Sequence, residues 1–445
     1  MKFKTTWILF IILVVVAGYF YLVDERSKKA KEKEKKESRK IFRYSSSDVE
    51  KMIFTNPDGL RITMEKVGDK WKITSPVVTK GDDSMINTVI RQVVPGHKLE
   101  EMKNVPNLAD YGLEKPFASI VLYSKTKTKP DTVFVGDKTP TSSSCYVRVG
   151  STKDVLICRE MTHNVMNKNL YHLRDKNFLD FKSINSSSID KFTIKNGRRK
   201  IELVKKGNFW WLADRGVRAD KTKIAPYLNK LTRAIIKKFV REDTKVLKPY
   251  GLEHPLQTIT LQRGSEVTEI SFGKTEDDEI YVVRTGLDKV IRLDKNLLKA
   301  FDWTEKDLRA MNIAFYDTDV IKSVMYEGPD TTCTFIKGQD KKWKVANNDS
   351  LIIKSYLVNS LLRKISSIEF ERITREPLPE FDERLEHFAE RIILSDADGE
   401  IVDKITIVKG NRNDIAASIS ANAIGEVKNT THLEIEKAFD GIGKP

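Results

Sequence analysis

The phrase "YGLEKP" at Tyr111–Pro116 returns almost unchanged as "YGLEHP" at Tyr250–Pro255, and the two phrases begin 139 residues apart. Their surroundings keep the same distance, since Trp71 and Trp210 are also 139 residues apart. Chance does not place a rare residue and a six-letter phrase at one shared spacing. The chain therefore contains a duplicated unit.

A third and fainter copy follows the first two. In every copy the leucine of the phrase lies 42 residues after a tryptophan. The pairs are Trp71 with Leu113, Trp210 with Leu252, and Trp343 with Leu385. The third copy has Glu383 and Arg384 at the Tyr-Gly positions and Phe388 in place of the proline. A period this long exceeds the roughly 20–50 residues of solenoid repeats, so we predict three tandem domains.

Each unit begins with a predicted hairpin that carries its tryptophan. Leu60–Thr74 alternates apolar and polar residues around the turn "VGDK", and Arg199–Ala213 repeats this pattern. An amphipathic helix is predicted next. In unit two its apolar face consists of Ile224, Leu228, Leu231 and Ile235. In unit three Ser350 is predicted to cap a helix whose apolar face consists of Leu357, Leu361 and Ile365.

The phrase itself is predicted to connect the helix to the sheet. Its glycine suits a tight turn, and its proline holds the chain extended before the next strand. Strands then follow through "SIVLY", "DTVFVG", "CYVRVG" and "DVLIC" in unit one. The predicted fold is α+β, with three tandem copies of an antiparallel sheet plus a helix behind one N-terminal transmembrane helix. The residues predicted to form the structural repeat motif are Trp71, Tyr111, Gly112, Leu113, Pro116, Trp210, Tyr250, Gly251, Leu252, Pro255, Trp343 and Leu385.

Residues 1–23 are predicted to form an uncleaved signal anchor. Trp7–Val23 is a run of 17 uncharged residues, mostly apolar, at the short end of the length that spans a bilayer. Residues 24–40 carry nine basic and five acidic residues and are predicted to form a charged Lys/Glu stalk. The predicted repeat units are residues 41–181, 182–316 and 317–445.

Two signals disagree on the side of the membrane that holds the units. Nine cations after the span, against two before it, favour the cytoplasm. A very short N-terminal tail with lysines is instead typical of an exported anchor. We favour export, which predicts a single-pass protein with its bulk outside the cytoplasm.

The net charge of +15 is concentrated in the middle of the chain. Residues 1–40 contribute +6 and residues 311–445 contribute −5, which leaves +14 for residues 41–310. Such a region attracts anionic lipid, anionic polymer or nucleic acid. Its basic clusters, for example Lys125–Lys129, are not interleaved with aromatic residues, which does not favour nucleic-acid binding.

No motif in the sequence predicts a catalytic, cofactor or metal site. "FGKT" at Phe272–Thr275 lacks the first glycine of a phosphate loop. "DADGE" at Asp396–Glu400 is better explained as a hairpin turn than as a calcium loop. The six histidines form no ligand pair or triplet. The repeated tryptophans, one per unit at a fixed position, are predicted to be core anchors rather than ligand platforms.

The three cysteines, Cys145, Cys158 and Cys333, have no metal-binding spacing. Cys145 and Cys158 align with Ile280 and Leu293 of unit two, so they are predicted to be small buried apolar residues. A Cys145–Cys158 disulfide in an oxidising compartment is the alternative.

Several stretches together resemble the bacterial family known as domain of unknown function 4340. They are the N-terminal anchor, the tryptophan hairpin, "YGLEKP", "VFVGDKTP" at Val133–Pro140 and "CYVRVGSTKDVLICRE" at Cys145–Glu160. The resemblance covers residues 41–316, which hold units one and two. It implies an accessory protein of the bacterial inner membrane that acts with gliding-type ABC transporter components, and it transfers no catalytic residues.

The leading hypothesis is a non-enzymatic, membrane-anchored envelope protein with a periplasmic bulk and a protein partner such as an ABC transporter subunit. The alternative is a binding module for anionic cell-wall polymer or a lipid surface, which the basic middle region suggests. A third hypothesis is a hydrolase with a site between units, but no nucleophile and base at recognisable spacing support it.

Overall fold

The computed structural model describes residues 25, 39–42, 44–94, 98–179, 186–346 and 348–443. The predicted anchor at residues 1–23 and most of the predicted stalk lie outside these residues. Within the described part of the chain, no helix combines the length and the apolar character needed to cross a bilayer.

Three antiparallel sheets of nine strands each make up most of the described chain. The first has the strand order β4-β3-β2-β1-β6-β7-β8-β9-β5. Its strands are β1 (Val49–Thr55), β2 (Arg61–Val67), β3 (Lys70–Ser75), β4 (Thr79–Lys80), β5 (Lys98–Met102), β6 (Ala118–Ser124), β7 (Asp131–Lys138), β8 (Ser144–Val149) and β9 (Val155–Arg159). The accompanying helices are α1 (Asp83–Val93), α2 (Glu160–Met166) and α3 (Leu170–Leu173).

The second sheet has the equivalent order, β13-β12-β11-β10-β15-β16-β17-β18-β14. Its strands are β10 (Lys191–Asn196), β11 (Arg199–Lys206), β12 (Phe209–Leu212), β13 (Val217–Ala219), β14 (Lys238–Arg241), β15 (Gln257–Arg263), β16 (Glu266–Glu276), β17 (Glu279–Arg284) and β18 (Val290–Asp294). The helices that accompany it are α4 (Lys221–Thr232) and α5 (Glu305–Leu308).

The third sheet repeats the order once more, as β22-β21-β20-β19-β24-β25-β26-β27-β23. Its strands are β19 (Ser323–Glu327), β20 (Thr332–Lys337), β21 (Trp343–Val345), β22 (Asn348–Ile353), β23 (Arg372–Arg375), β24 (Glu390–Ser395), β25 (Ile401–Val408), β26 (Asp414–Ser418) and β27 (Ala423–Val427). The helices are α6 (Ser355–Ser367) and α7 (Thr431–Gly443). The prediction of tandem, mainly antiparallel sheets is therefore confirmed.

The tryptophan hairpin and the first helix of a unit form one side of its core. Trp71 is buried, and its indole Nε1 donates to Asn87 Oδ1 on α1 at 3.0 Å. Asp83, also on α1, accepts from the Trp71 backbone N–H at 2.7 Å. Helix α1 turns Ile86, Val89, Ile90 and Val93 into the core. Each such fully buried side chain contributes roughly 1.5–3 kcal/mol of transfer free energy.

Two predictions about helices are wrong. Helix α4 ends at Thr232, so Ile235 is not on its apolar face; Ile235 is 46% exposed and forms a bridge with Asn177. Ser350 caps no helix, because it lies within β22 and α6 begins at Ser355 after Lys354. In both cases the chain next to the helix pairs with another extended segment, and this pairing overrides the helical pattern.

By their internal contacts, the described residues divide into two compact regions, which differ from the three repeat units. One contains residues up to Asn177 together with Ile235–Glu242, and the other contains Phe178–Ala234 together with the residues from Asp243 onward. The boundaries predicted at residues 181 and 316 stay predictions.

Candidate functional site

The repeated phrase begins at the end of a short 3₁₀ turn in the first two units. These turns are Ala109–Tyr111 and Lys248–Tyr250. The following glycines, Gly112 and Gly251, have φ of 65° and 68°, a left-handed conformation that other residues adopt only with strain. The sequence predicts this tight turn.

The backbone of the phrase lies directly against the sheet. A Cβ atom added to Gly136 on β7 would be 2.2 Å from the carbonyl oxygen of Tyr111, and one added to Gly273 on β16 would be 2.2 Å from that of Tyr250. Each phrase therefore requires a glycine on the strand beneath it. This contact explains why "YGLE" and the later "VFVG" or "ISFG" recur together.

The phrase covers the face of the first sheet that points away from the main core. Val133 and Val135 point into the main core, whereas Phe134 between them points to the other face. A small second cluster forms there from Val105, Leu113 and Val155, with Leu108, Tyr111, Phe134 and Tyr146 packed against it. In unit two, Leu252 is likewise buried, and the rings of Tyr250 and Tyr281 lie 5.0 Å apart.

The predicted motif residues divide into buried and half-buried positions. Trp71, Trp210, Trp343, Leu113 and Leu252 are buried. The positions that remain half-exposed are Tyr111, Tyr250, Pro116, Pro255 and Leu385. The phrase and the tryptophan of a unit lie on opposite faces of its sheet, so the motif does not converge on one site.

In the third unit, the segment that corresponds to the repeated phrase and packs on the outer face of the sheet has different residues. Counted from Leu385, Glu380 and Glu383 occupy the positions of Leu108 and Tyr111, and both glutamates are exposed. The strand beneath is altered as well. Ala118 pairs with Val135 and Glu390 pairs with Ile407, so Val408 occupies the position of Gly136. The close backbone contact of the first two units is therefore lost here together with its glycine.

A cleft opens where this cover is altered, and we call it the unit-three cleft. Its volume is about 320 Å³. It is lined by Leu378, Pro379, Glu380, Phe381, Asp382, Leu385, Glu386, Arg391, Lys404, Thr406, Ala417 and Ile419. At its rim Phe381 is 65% exposed and Ile419 is 48% exposed. The cleft thus combines exposed apolar side chains with charges of both signs.

The charged groups of the cleft are held in place by neighbours. The Arg384 guanidinium, hydrogen-bonded to Asp382, lowers the pKa of that carboxyl to about 2. Arg391 stacks on Phe388 with its guanidinium carbon 3.7 Å from the ring centre, and it pairs with Glu327 at 3.3 Å. Fixed charges around an open apolar floor suit recognition of a partner of defined shape and charge.

Two buried arginines that the sequence interpretation missed tie successive repeats together. Arg174 donates to both carboxylate oxygens of Glu242, at 2.6 and 3.1 Å. Arg309 donates from Nε to Glu376 at 2.8 Å. The two arginines lie in the parallel stretches "LRDKN" and "LRAMN". Their partners Glu242 and Glu376, 68 and 67 residues further along the chain, each directly follow another arginine in an Arg-Glu dipeptide. The recurrence of this Arg-Glu dipeptide at nearly the same distance was the sequence signal that could have predicted both ion pairs.

A polar cluster lies inside the core of the third sheet. His432 Nδ1 lies 2.7 Å from Asp414 Oδ2, and both residues are buried. Nearby Glu390 is buried too, and burial raises the pKa of its carboxyl to about 7, against a hydrogen bond from Tyr326 that lowers it. In the described part of the chain, no group of three or more histidine, cysteine or acidic side chains could hold a metal ion.

The cysteines and the two weak motifs have structural positions. Cys145 and Cys158 are cross-strand neighbours on β8 and β9, buried and present as free thiols. Burial raises the pKa of these thiols to about 11 and about 12. Asp396 Oδ1 accepts from the backbone N–H groups of Asp398 and Glu400, which makes "DADGE" a hairpin turn. "FGKT" lies within strand β16.

Comparison with known families gives two overlapping matches. The family model described as a domain of unknown function, DUF4340, matches residues 71–245 and 210–386. Each match begins at the hairpin tryptophan of one unit and runs past the first helix of the next unit. No curated protein matches the chain at a significant level.

Proposed function

We propose a function for a chain that belongs to the family of the domain of unknown function DUF4340. In this proposal the chain is a non-enzymatic accessory protein of the bacterial cell envelope, anchored in the inner membrane by residues 1–23. Its tandem units stand outside the cytoplasm and bind a subunit of an ABC-type transporter or of another envelope complex.

The unit-three cleft is the observation that carries this proposal. Partner proteins bind most tightly where an aromatic or apolar anchor meets a concave surface ringed by polar groups. Phe381 and Ile419 are exposed beside such a surface, and Arg391, Lys404 and Glu386 surround it. Units one and two keep the corresponding face covered by their own phrase.

Site-specific photo-crosslinking in cells tests the partner. A photoreactive phenylalanine analogue at Phe381 is expected to capture one protein of the envelope complex. The matched controls carry the analogue at Ala109, which is the same position in unit one, and at Tyr356, which is 61% exposed elsewhere in unit three. Equal capture from all three positions, or none from Phe381, contradicts the proposal.

Protease added to spheroplasts tests the topology. If residues 1–23 form an uncleaved exported anchor, the units are digested and the intact protein begins at Met1. Protection of the units would contradict export and agree with the nine cations that follow the span.

The net charge of residues 41–310, +14, favours a second candidate function. A basic region of this size attracts an anionic cell-wall polymer or an anionic lipid surface. Retention on such a polymer that fades as salt is raised, without any crosslink from Phe381, would favour this candidate over the first.

A further inference from the structure

The three buried arginines of the described chain each have a glutamate partner. Arg174 pairs with Glu242, Arg309 with Glu376, and Arg292 with Glu276 and Glu279. A buried guanidinium requires such a partner because removing it from water is costly unless its charge and its donors are satisfied.

Arg218 on β13 is half-buried and lacks a partner of this kind. Its guanidinium carbon lies 4.1 Å from the ring centre of Phe209, 3.9 Å from that of Trp211 and 5.8 Å from that of Phe315. Its Nε–H is buried without an acceptor, and no carboxylate among the described residues pairs with it. Burial lowers the pKa of this guanidinium to about 10. The aromatic rings thus pack against the group, and its Nε–H has no acceptor in the protein.

Arg218 also lines a cavity of about 260 Å³. Lys221 supplies a second cation on its wall. Asn312 and Ser366 line it too, but the Asn312 amide already donates to the Ser366 carbonyl oxygen at 3.0 Å and the Ser366 hydroxyl to that of Arg363 at 3.0 Å. The carboxylate of Asp220 lies there too, but it accepts from the Thr222 backbone N–H at 2.8 Å and from the Thr222 hydroxyl at 2.6 Å. Since pockets for drug-sized ligands have roughly 300–1,000 Å³, only a small group fits this cavity.

The arrangement is specific to unit two. Trp211 pairs with Arg218 across β12 and β13, whereas the equivalent cross-strand pairs are Lys72 with Lys80 in unit one and Lys344 with Ile352 in unit three. Neither of those pairs places a guanidinium on an aromatic ring. The feature is therefore not a requirement of the repeated fold.

We propose that the Arg218 cavity binds a small oxyanion, either a carboxylate or a phosphate group, through the planar donors of the stacked guanidinium, with Lys221 as the second cation. Arginine binds both groups with two parallel N–H···O hydrogen bonds, and stacking on aromatic rings fixes the plane that this geometry needs. This site is separate from the unit-three cleft and does not depend on the function proposed there.

Thermal unfolding of the full-length protein in detergent tests the site. Inorganic phosphate and acetate are titrated separately, with chloride holding the ionic strength constant. A ligand that binds only the folded state raises the unfolding temperature with its concentration. An effect of phosphate alone assigns a phosphoryl group, and an effect of acetate alone assigns a carboxylate. No effect of either anion overturns the proposal.

Substitutions test whether the anion raises the unfolding temperature by binding in the Arg218 cavity. Arg218→Gln is expected to require about tenfold or more anion for the same rise, which corresponds to a lost hydrogen bond to a charged group. The control Arg61→Gln removes the same charge from an exposed position on β2 and is expected to respond as the wild type does. If Arg218→Gln does not fold, Lys221→Gln is expected to require about threefold more anion, as for one solvent-exposed cation. The proposal is overturned if the cavity variant, Arg218→Gln or Lys221→Gln, is stabilised by the anion as the wild type is. It is also overturned if Arg61→Gln loses as much of the anion-induced stabilisation as the cavity variant does.

Discussion

Replacement of Glu390 by glutamine is expected to change how the stability of the third sheet depends on pH. Glu390 is buried on β24, and burial raises the pKa of its carboxyl from 4.5 to about 7. Tyr326 and His432 oppose this rise, and Glu436 adds to it. A carboxyl with a raised folded-state pKa stabilises the fold fully below its unfolded pKa, and this stability is lost as the pH rises from 4.5 through 7.

The size of the effect follows from the shift. At about 1.4 kcal/mol per pKa unit, a rise from 4.5 to about 7 corresponds to an upper limit of about 3 kcal/mol. Partial access of water reduces this limit, so we expect about 2–3 kcal/mol. Glutamine has nearly the same shape and no ionisable proton. Between pH 4.5 and 8 the wild type should therefore lose about 2–3 kcal/mol more stability than Glu390→Gln.

Hydrogen exchange of the β24 and β25 amides, corrected for the intrinsic exchange rate at each pH, measures this difference. The protection of these strands should fall roughly 30- to 150-fold more in the wild type than in Glu390→Gln over that range. The β7 amides of the first sheet serve as the internal control and should not differ. Parallel pH profiles for β24 in the two proteins would refute the assignment of a raised pKa to Glu390.

Three further predictions concern the repeated elements. Gly136→Ala should destabilise the first unit by about 1–3 kcal/mol, because its Cβ would lie 2.2 Å from a backbone oxygen; an unchanged denaturation midpoint would show that the phrase moves freely. Trp210→Ala should cost about 3–5 kcal/mol in urea unfolding, and a near-neutral result would exclude a core role. Gly112→Val should cost about 1 kcal/mol or more because φ is 65°, whereas the exposed Glu114→Gln should stay within about 0.5 kcal/mol. Loss of partner binding in Glu114→Gln with an intact fold would instead make the phrase a recognition site.

Local patterns predicted the repeated architecture because each unit carries its own periodicity and turn residues. The hairpin around Gly68 follows from alternation and a turn glycine, and both act over a few residues. Cys145 and Cys158 could be placed on strands because Ile280 and Leu293 occupy the same positions in unit two. Duplication thus supplied a second sequence for the same fold.

Local patterns failed where a distant segment competes with a helix. Ile235 continues the spacing of an apolar helix face, yet the chain there leaves the helix and bridges to Asn177. Ser350 suits a helix cap, yet β22 pairs with β21 at that point. The free energy of pairing with a remote strand is not encoded in the residues beside the helix.

The sequence by itself determined the number of copies, the antiparallel strands and the turn at each phrase, since these depend on spacing and on neighbouring residues. Only the tertiary structure decided what the phrase covers, because the contact between Tyr111 and Gly136 joins residues that are distant along the chain. The same holds for the unit-three cleft and for the stacked Arg218. Each arises from side chains of separate strands brought to one place, and packing of this kind has no period in the sequence.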